Sequence, residues 1–400
     1  MSPRLYFVTI TSTILCLFAA YLQAGEYELS GDITIEGRYF FHSPTFEEQE
    51  HHNGSLGLNG EFYHEFESGS SVTISPFVRL DNVDSKRTHA DFRELNFIYL
   101  GESWELKAGV SKIFWGAAEF VHLIDIINQT DLVEDIYGEE KLGQPMIHVA
   151  FTKDWGVIDG IVLPYFRERT FPGEEGRLRT ASVVDTDKAK YESGAEQYHP
   201  DFALRYSQTF GNLDWGVYQF IGTSREPTLI EEMDESASSV LVPYYPQITQ
   251  SGLDVQVVQG EWLWKGEAMY RSEQGSSFAA FTCGIEYTLY GVLNTPMDAG
   301  LIVEYVFDDR DETVAAVYDN DLMAGLRLSF NDMENSEILG GIIKDTDLSS
   351  AIFSLEASRR LSESIKIKLS GGFFSNISEE DPAYDLRKDD YIKVEAIFYY

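Results

Sequence analysis

Cysteine is scarce. The 400-residue chain has two, Cys16 and Cys283. Cys16 falls inside the apolar N-terminal stretch, without the small residues that precede a lipidated cysteine. The rest of the chain therefore has one thiol and no intramolecular disulfide. Long hydrophobic runs are missing as well: beyond Leu22 none approaches the roughly 18 residues that a membrane-crossing helix needs. Basic residues are few, with 30 Lys and Arg against 66 Asp and Glu and a net charge of −36. That balance argues against nucleic acid and anionic lipid as partners. None of the eight histidines (His42, His51, His52, His64, His89, His122, His148, His199) lies in a recognisable nucleophile motif, so no catalytic residue is assigned. His51 and His52 stand beside Glu47, Glu48 and Glu50, a transition-metal grouping in principle; a solvated polar loop tip is the simpler reading, and neither metal nor cofactor is expected.

What the chain does have is a leader and a strict alternation. Arg4, the apolar stretch from Leu5 to Leu22 and the small residue Ala24 have the form of a secretory signal peptide over 1–24, with Gly25 the first mature residue. From there a period of two runs through nearly the whole sequence. Leu29, Gly31, Ile33, Ile35, Gly37, Tyr39 and Phe41 alternate with Ser30, Asp32, Thr34, Glu36, Arg38 and Phe40. One face of such a strand meets an apolar phase and the other meets water. The same pattern yields about eighteen strands: 28–41, 55–66, 71–80, 91–100, 104–113, 145–153, 155–166, 201–211, 213–223, 251–259, 261–271, 277–289, 298–307, 320–330, 334–345, 349–360, 364–375 and 388–400. Every second connection is short (67–70, 101–103, 153–154, 211–213, 259–261, 290–297, 331–333, 361–363). The others are mostly long (42–54, 81–90, 114–144, 167–200, 224–250, 308–319, 376–387), with 272–276 and 346–348 the short exceptions. That parity predicts an all-β chain: one closed antiparallel transmembrane barrel over 25–400, with short periplasmic turns and long external loops.

A barrel of this size holds water, and a charge on its lipid face costs about 2–4 kcal/mol at the midplane. The alternation therefore sends Glu36, Arg38, Arg79, Glu94, Lys107, Arg205, Lys265, Glu267, Arg271, Glu286, Glu304, Arg327, Glu356, Arg360, Lys366, Lys368, Lys393 and Glu395 inward, as candidate pore-lining groups. Acidic clusters such as 47–50, 231–235, 308–311 and 379–381 fall in external loops. There they solvate the surface, bridge through divalent cations to lipopolysaccharide, or attract cationic solutes. Loop 114–144 is too apolar for a free loop. A short helix over 117–127 is expected, folded into the lumen as a constriction and carrying Trp115, Glu119, His122, Asp125, Asn128 and Asp131. Its apolar residues are expected to pack near Arg38, Arg79 and Lys107. Arg167, Arg169, Arg177 and Arg179 make 167–200 the most basic loop, a candidate anion path.

The last strand ends on Phe398 and Tyr400, both on its apolar side. It resembles the closing strand of Gram-negative outer-membrane barrels, in which a terminal aromatic is read by the barrel-assembly machinery. The stretches KIFWGAAE (112–119), DIINQTD (125–131), LPYFRERTFP (163–172), PDFALRYS (200–207) and GTSREP (222–227) resemble a porin-like family of uncharacterised outer-membrane proteins, distantly similar to alginate-export-type barrels. The resemblance implies an eighteen-stranded barrel in the outer membrane, in contact with lipid and lipopolysaccharide. The charged, water-filled lumen is read as a channel that passes small hydrophilic solutes by diffusion, and its slight basic excess beneath acidic loops favours anionic ones. The dense arginine lining of a polyuronate exporter is lacking. The alternatives are a non-conducting structural or adhesion barrel and, behind it, a lipid hydrolase. The sequence leaves the oligomeric state open.

Overall fold

A computed structural model describes residues 25–234, 238–273, 276–310 and 318–400. The leader over 1–24 lies outside the described residues, as do Glu235 and Asp311 of the acidic loops. Alternation turns directly into wall. Eighteen strands join in one sheet: β1 (Gly25–Phe40), β2 (His52–Phe66), β3 (Ser71–Asp81), β4 (His89–Leu100), β5 (Trp104–Ser111), β6 (Gln144–Lys153), β7 (Gly156–Leu163), β10 (Asp201–Phe210), β11 (Leu213–Thr223), β14 (Gln247–Gln259), β15 (Trp262–Glu273), β16 (Ser276–Leu289), β17 (Asp298–Asp308), β18 (Asn320–Ser329), β19 (Glu337–Asp345), β20 (Ala351–Ser362), β21 (Ile365–Ser375) and β22 (Tyr391–Tyr399). Each pairs antiparallel with the next, and β22 pairs back onto β1 from Asp32–Tyr399 to Phe40–Tyr391. Closure leaves no edge with unpaired backbone groups, which is what lets a sheet cross a bilayer.

The outer surface carries the exposed apolar side chains, among them Leu29, Ile33, Ile35, Leu56, Trp104, Trp262, Trp264, Leu301, Val394 and Phe398. The charged members of the alternation turn inward. Short turns and longer loops alternate as the connection lengths predict, with 274–275 and 346–350 the short exceptions on the long-loop side. The described residues contain no α-helix, only short 3-10 turns.

Two elements were not legible. A hairpin, β12 (Thr228–Met233) and β13 (Ser239–Tyr245), stands on the long-loop end, and β13 takes parallel partners β8 (Val183–Val184) and β9 (Lys190–Tyr191) from the preceding loop. This small sheet ties the loop after β7 (L4, 164–200) to the loop after β11 (L5, 224–246). The second is a bulge in the β3–β4 ladder between Ser75 and Pro76, where Pro76 has no N–H to give.

Candidate functional site: a strapped lumen

The loop between β5 and β6 (L3, 112–143) does fold into the lumen, but not as a helix. Its amides are claimed by the wall. Ala117 and Ala118 N–H donate to Glu267 Oε1 at 2.6 and 2.9 Å, and Ile124 N–H to Oε2 at 3.3 Å. Glu119 and Phe120 N–H donate to the two oxygens of Glu304 at 2.8 and 3.0 Å. Bonds to a buried carboxylate are stronger than neutral ones, and they replace the i→i−4 ladder that the expected helix over 117–127 required. That expectation is corrected on this ground.

The apolar half of L3 lies along the wall from β6 to β19. Trp115, Ile124, Ile126 and Ile127 pack with Met146, Ile161, Leu163, Ala203, Tyr218, Phe220 and Ile248. Farther along, Leu123 meets Met269, Phe278 and Ala280, and Phe120 meets Val306, Met323 and Ile343. Phe120 also occupies a hollow that glycine alone provides: a Cβ at Gly325 or Gly341 would lie 2.9 or 2.7 Å from its ring. For Trp115 to Ile127 the expectation of packing near Arg38, Arg79 and Lys107 is therefore corrected; of the apolar residues of the loop, Leu132, Val133 and Ile136 line a hollow with Arg38 and Arg87. The acidic half of L3 meets that wall instead, because its carboxylates answer the arginines there.

The predicted constriction residues separate by role. Trp115 is core, with its ring 5.0 Å from that of Tyr218. Glu119 binds Arg327 at 2.5 Å and Lys265 at 3.3 Å; burial pushes its pKa up, but the two cations outweigh burial and hold it below the usual carboxylate range. His122 contacts Glu139 at 3.3 Å. Burial opposes its charge, yet Glu139 prevails and its pKa rises. Burial raises the pKa of Asp125, which Lys141 at 3.2 Å only partly offsets. Asn128 pins the neck of the loop, accepting from Ile113 N–H and donating to the carbonyls of Ser111 and Leu142. Asp131 binds Arg93 at 2.7 Å and accepts from Thr170.

The inward groups also divide. On β1–β4, Glu36 holds Arg38, Arg79 and Arg87, and Arg79 reaches Glu134 of L3 at 2.7 Å. On β15–β18, Lys265 and Arg327 share Glu119 and Glu286, while Glu267 and Glu304 grip L3. Arg205 pairs with Asp254 at 2.7 Å, Arg271 with Glu226 of L5 at 2.7 Å, and Lys393 with Glu395 at 3.3 Å. Glu94 accepts from Asn96. Lys107, Glu356, Lys366 and Lys368 form no ion pair within 4 Å among the described residues. Arg87 and Arg93 were missed. Arg87 sits in a 3-10 turn, and Arg93 follows Phe92 in the bulge, which breaks the count by two; Pro76 was the available signal.

The arginines of L4 line no free path. Arg167 is bidentate to Asp91, Arg177 binds Asp389, and Arg169 and Arg179 donate to backbone carbonyls. Arg225 donates to Ile127 O and binds Asp201. L3, L4 and L5 are thus locked together by stretches that resembled a family in sequence.

No protein-family model matches the chain, and no curated protein matches it in sequence. Solved structures do. A BenF-like porin from Pseudomonas fluorescens superposes with a TM-score of 0.54 at 10% identity, over 95% of this chain and 99% of that one. OpdQ of Pseudomonas aeruginosa gives 0.53 at 10% identity over 94% and 98%. OccK7 (OpdD) of the same organism gives 0.53 at 11% identity over 94% and 98%. The fold is that of the porins. At these identities the likeness is one of fold, and the chemistry rests on the residues above.

Proposed function

We propose that the chain is an outer-membrane channel of Gram-negative type that passes small hydrophilic solutes by diffusion, with L3 as its constriction. One observation carries this: a closed barrel has an apolar exterior, a charged interior, and a loop strapped across the lumen by Glu267, Glu304 and Arg79. Inward-facing Glu356 and Lys368 remain solvent-exposed, so the lumen is hydrated beside the strap. On this reading the short turns are periplasmic, the long loops external, and residues 1–24 a signal peptide. The acidic loops meet lipopolysaccharide through divalent cations. Phe398 and Tyr400, exposed on the outer face, are the terminal aromatics that the assembly machinery reads. The likeness to porins supports a channel over an enzyme, and nothing in it requires the alginate-export resemblance.

Single-channel recording of purified protein in planar bilayers tests the reading. Discrete conductance steps are expected. A folded, inserted barrel that never conducts returns the protein to the scaffold or adhesion class.

A further inference from the structure

L3 touches the wall on both sides of β20; on β20 itself Ile352 packs with the apolar residues on either side, and below it Ser354 and Glu356 make no side-chain hydrogen bond or ion pair with the described residues of L3. Phe120 sits against Gly325 and Gly341 of β18 and β19. Tyr137 lies against Gly372 of β21, where a Cβ would be 2.5 Å from its hydroxyl. In register, Gly341 pairs with Ser354 of β20, and Ser354 with Gly372. The two aromatic anchors therefore stand on glycines either side of Ser354, and the short serine cannot close the gap between them. Elsewhere L3 is bound more closely to the wall: apolar packing joins it to β6–β14, and the arginine cluster joins it to β1–β4.

Below Ser354 the wall carries charges of both signs that are not spent on each other. Glu356, one inward position farther from the loops, is exposed and has no hydrogen bond or ion pair among the described residues. Its charged surroundings are Asp135 and Glu139 of L3 and Lys393 and Lys368 of the wall. Lys368 pairs in register with Ser358, so it is the diagonal neighbour of Glu356, about 7–8 Å away along the sheet. It too is exposed, and it has no ion pair among the described residues. Glu337 and Glu395 share its level, but Lys393 takes Glu395. The next level holds Arg360 opposite Lys366. A solute moving inward meets Glu139 and Glu356 first, with Lys393 at their level drawn to Glu395, and then Lys368, Lys366 and Arg360, which outnumber the one acid left beside them, Glu337.

We propose that the passage runs through this window between Phe120 and Tyr137, against β20, and that it favours small zwitterions of the amino-acid type. A cationic group is received by Glu356 while the anionic group reaches Lys368, so both desolvation costs are answered at once. A solute of a single charge satisfies one level and is repelled at the other. This rests on the channel reading above.

The test has two arms, both in a Cys283→Ser background, since that thiol lies on the outer face. In planar bilayers, Ser354→Cys and Glu356→Cys are treated with a charged methanethiosulfonate, and Ser207→Cys on the opposite wall below L3 serves as the comparison. Loss of most of the current at 354 and 356, with little change at 207, is expected. Block at 207 without block at 354 and 356 overturns the window. In the second arm, proteoliposome swelling is measured in β-alanine and in its uncharged isomer lactamide. Wild type is expected to swell several-fold faster in β-alanine, Glu356→Gln/Lys368→Gln to lose that ratio, and the charge swap Glu356→Lys/Lys368→Glu to keep most of it. Equal rates in wild type overturn the zwitterion preference. Absence of swelling and of current in every protein, with the barrel folded, overturns the channel reading instead.

Discussion

The wall of β1–β4 and the wall of β19–β22 have the same alternating pattern and opposite fates. Both present inward Arg, Lys and Glu at alternate positions. On β1–β4, Arg79 and Arg87 are almost fully enclosed and share Glu36, Asp81 and Glu134. On β19–β22, Glu356, Lys366 and Lys368 have no ion-pair partner within 4 Å among the described residues. The difference lies in what covers them. L3 and L4 bring Asp131, Glu134 and their backbone to the first wall, where burial makes pairing obligatory. The second wall is covered at its loop end, where Ile136 of L3 and Leu178 of L4 pack with Phe374 and Tyr391; below that cover, water serves its charges. Inward charge by itself thus signals neither pore nor strut.

Removing the cover is the largest perturbation. Deleting Ala117–Leu132 should raise conductance several-fold and erase the distinction between the walls, while the barrel stays folded, because wall hydrogen bonds do not involve the loop. Current recordings paired with heat-modifiable gel mobility would show both. Unchanged conductance would mean that L3 does not set the narrowest section.

Next comes the strap alone. Glu267→Ala/Glu304→Ala removes the acceptors for five L3 amides. Charged hydrogen bonds contribute about 1.5–3 kcal/mol each, so the loop should detach intermittently. The expected record is a channel flickering between wild-type and larger levels. A steady wild-type level would show that Phe120 and the apolar packing hold L3 unaided.

Charge reversal separates the walls directly. Lys366→Glu/Lys368→Glu should shift reversal potential toward cations while leaving stability within about 0.5 kcal/mol, as for exposed sites. Arg79→Glu strands Glu36 and Glu134 in a buried place, a loss of about 3–5 kcal/mol. Denaturant titration should therefore move for Arg79→Glu and not for the lysine pair. The opposite ranking would invert the comparison.

The barrel was legible because period two and loop parity are properties of the chain itself: strand 213–223 was placed to the residue, and most others within a few. The strap was half legible. Apolar residues in 114–131 announced a buried loop, but no local signal says that Glu267 and Glu304, some 150 and 185 positions away, take its amides. Helix propensity lost to tertiary acceptors. Pairing was not legible at all: Lys368 and Arg79 look alike in sequence and differ only in what folds over them.

The smallest effect concerns pH. His122 and Glu139 join two parts of L3 at 3.3 Å, and the Glu139 side chain is 56% exposed, so the pair contributes roughly 0–1 kcal/mol. The folded pKa of His122 lies above its ordinary 6.5. Its contribution is therefore complete below that ordinary value and is lost as pH rises through the raised one. Open-channel noise should grow modestly on raising the pH through that interval, as the two parts of L3 loosen. His122→Asn should be noisier at acid pH and flat across the range. A wild-type record that quietens as pH rises would have the wrong sign for this contact and would place the titrating group elsewhere in the lumen.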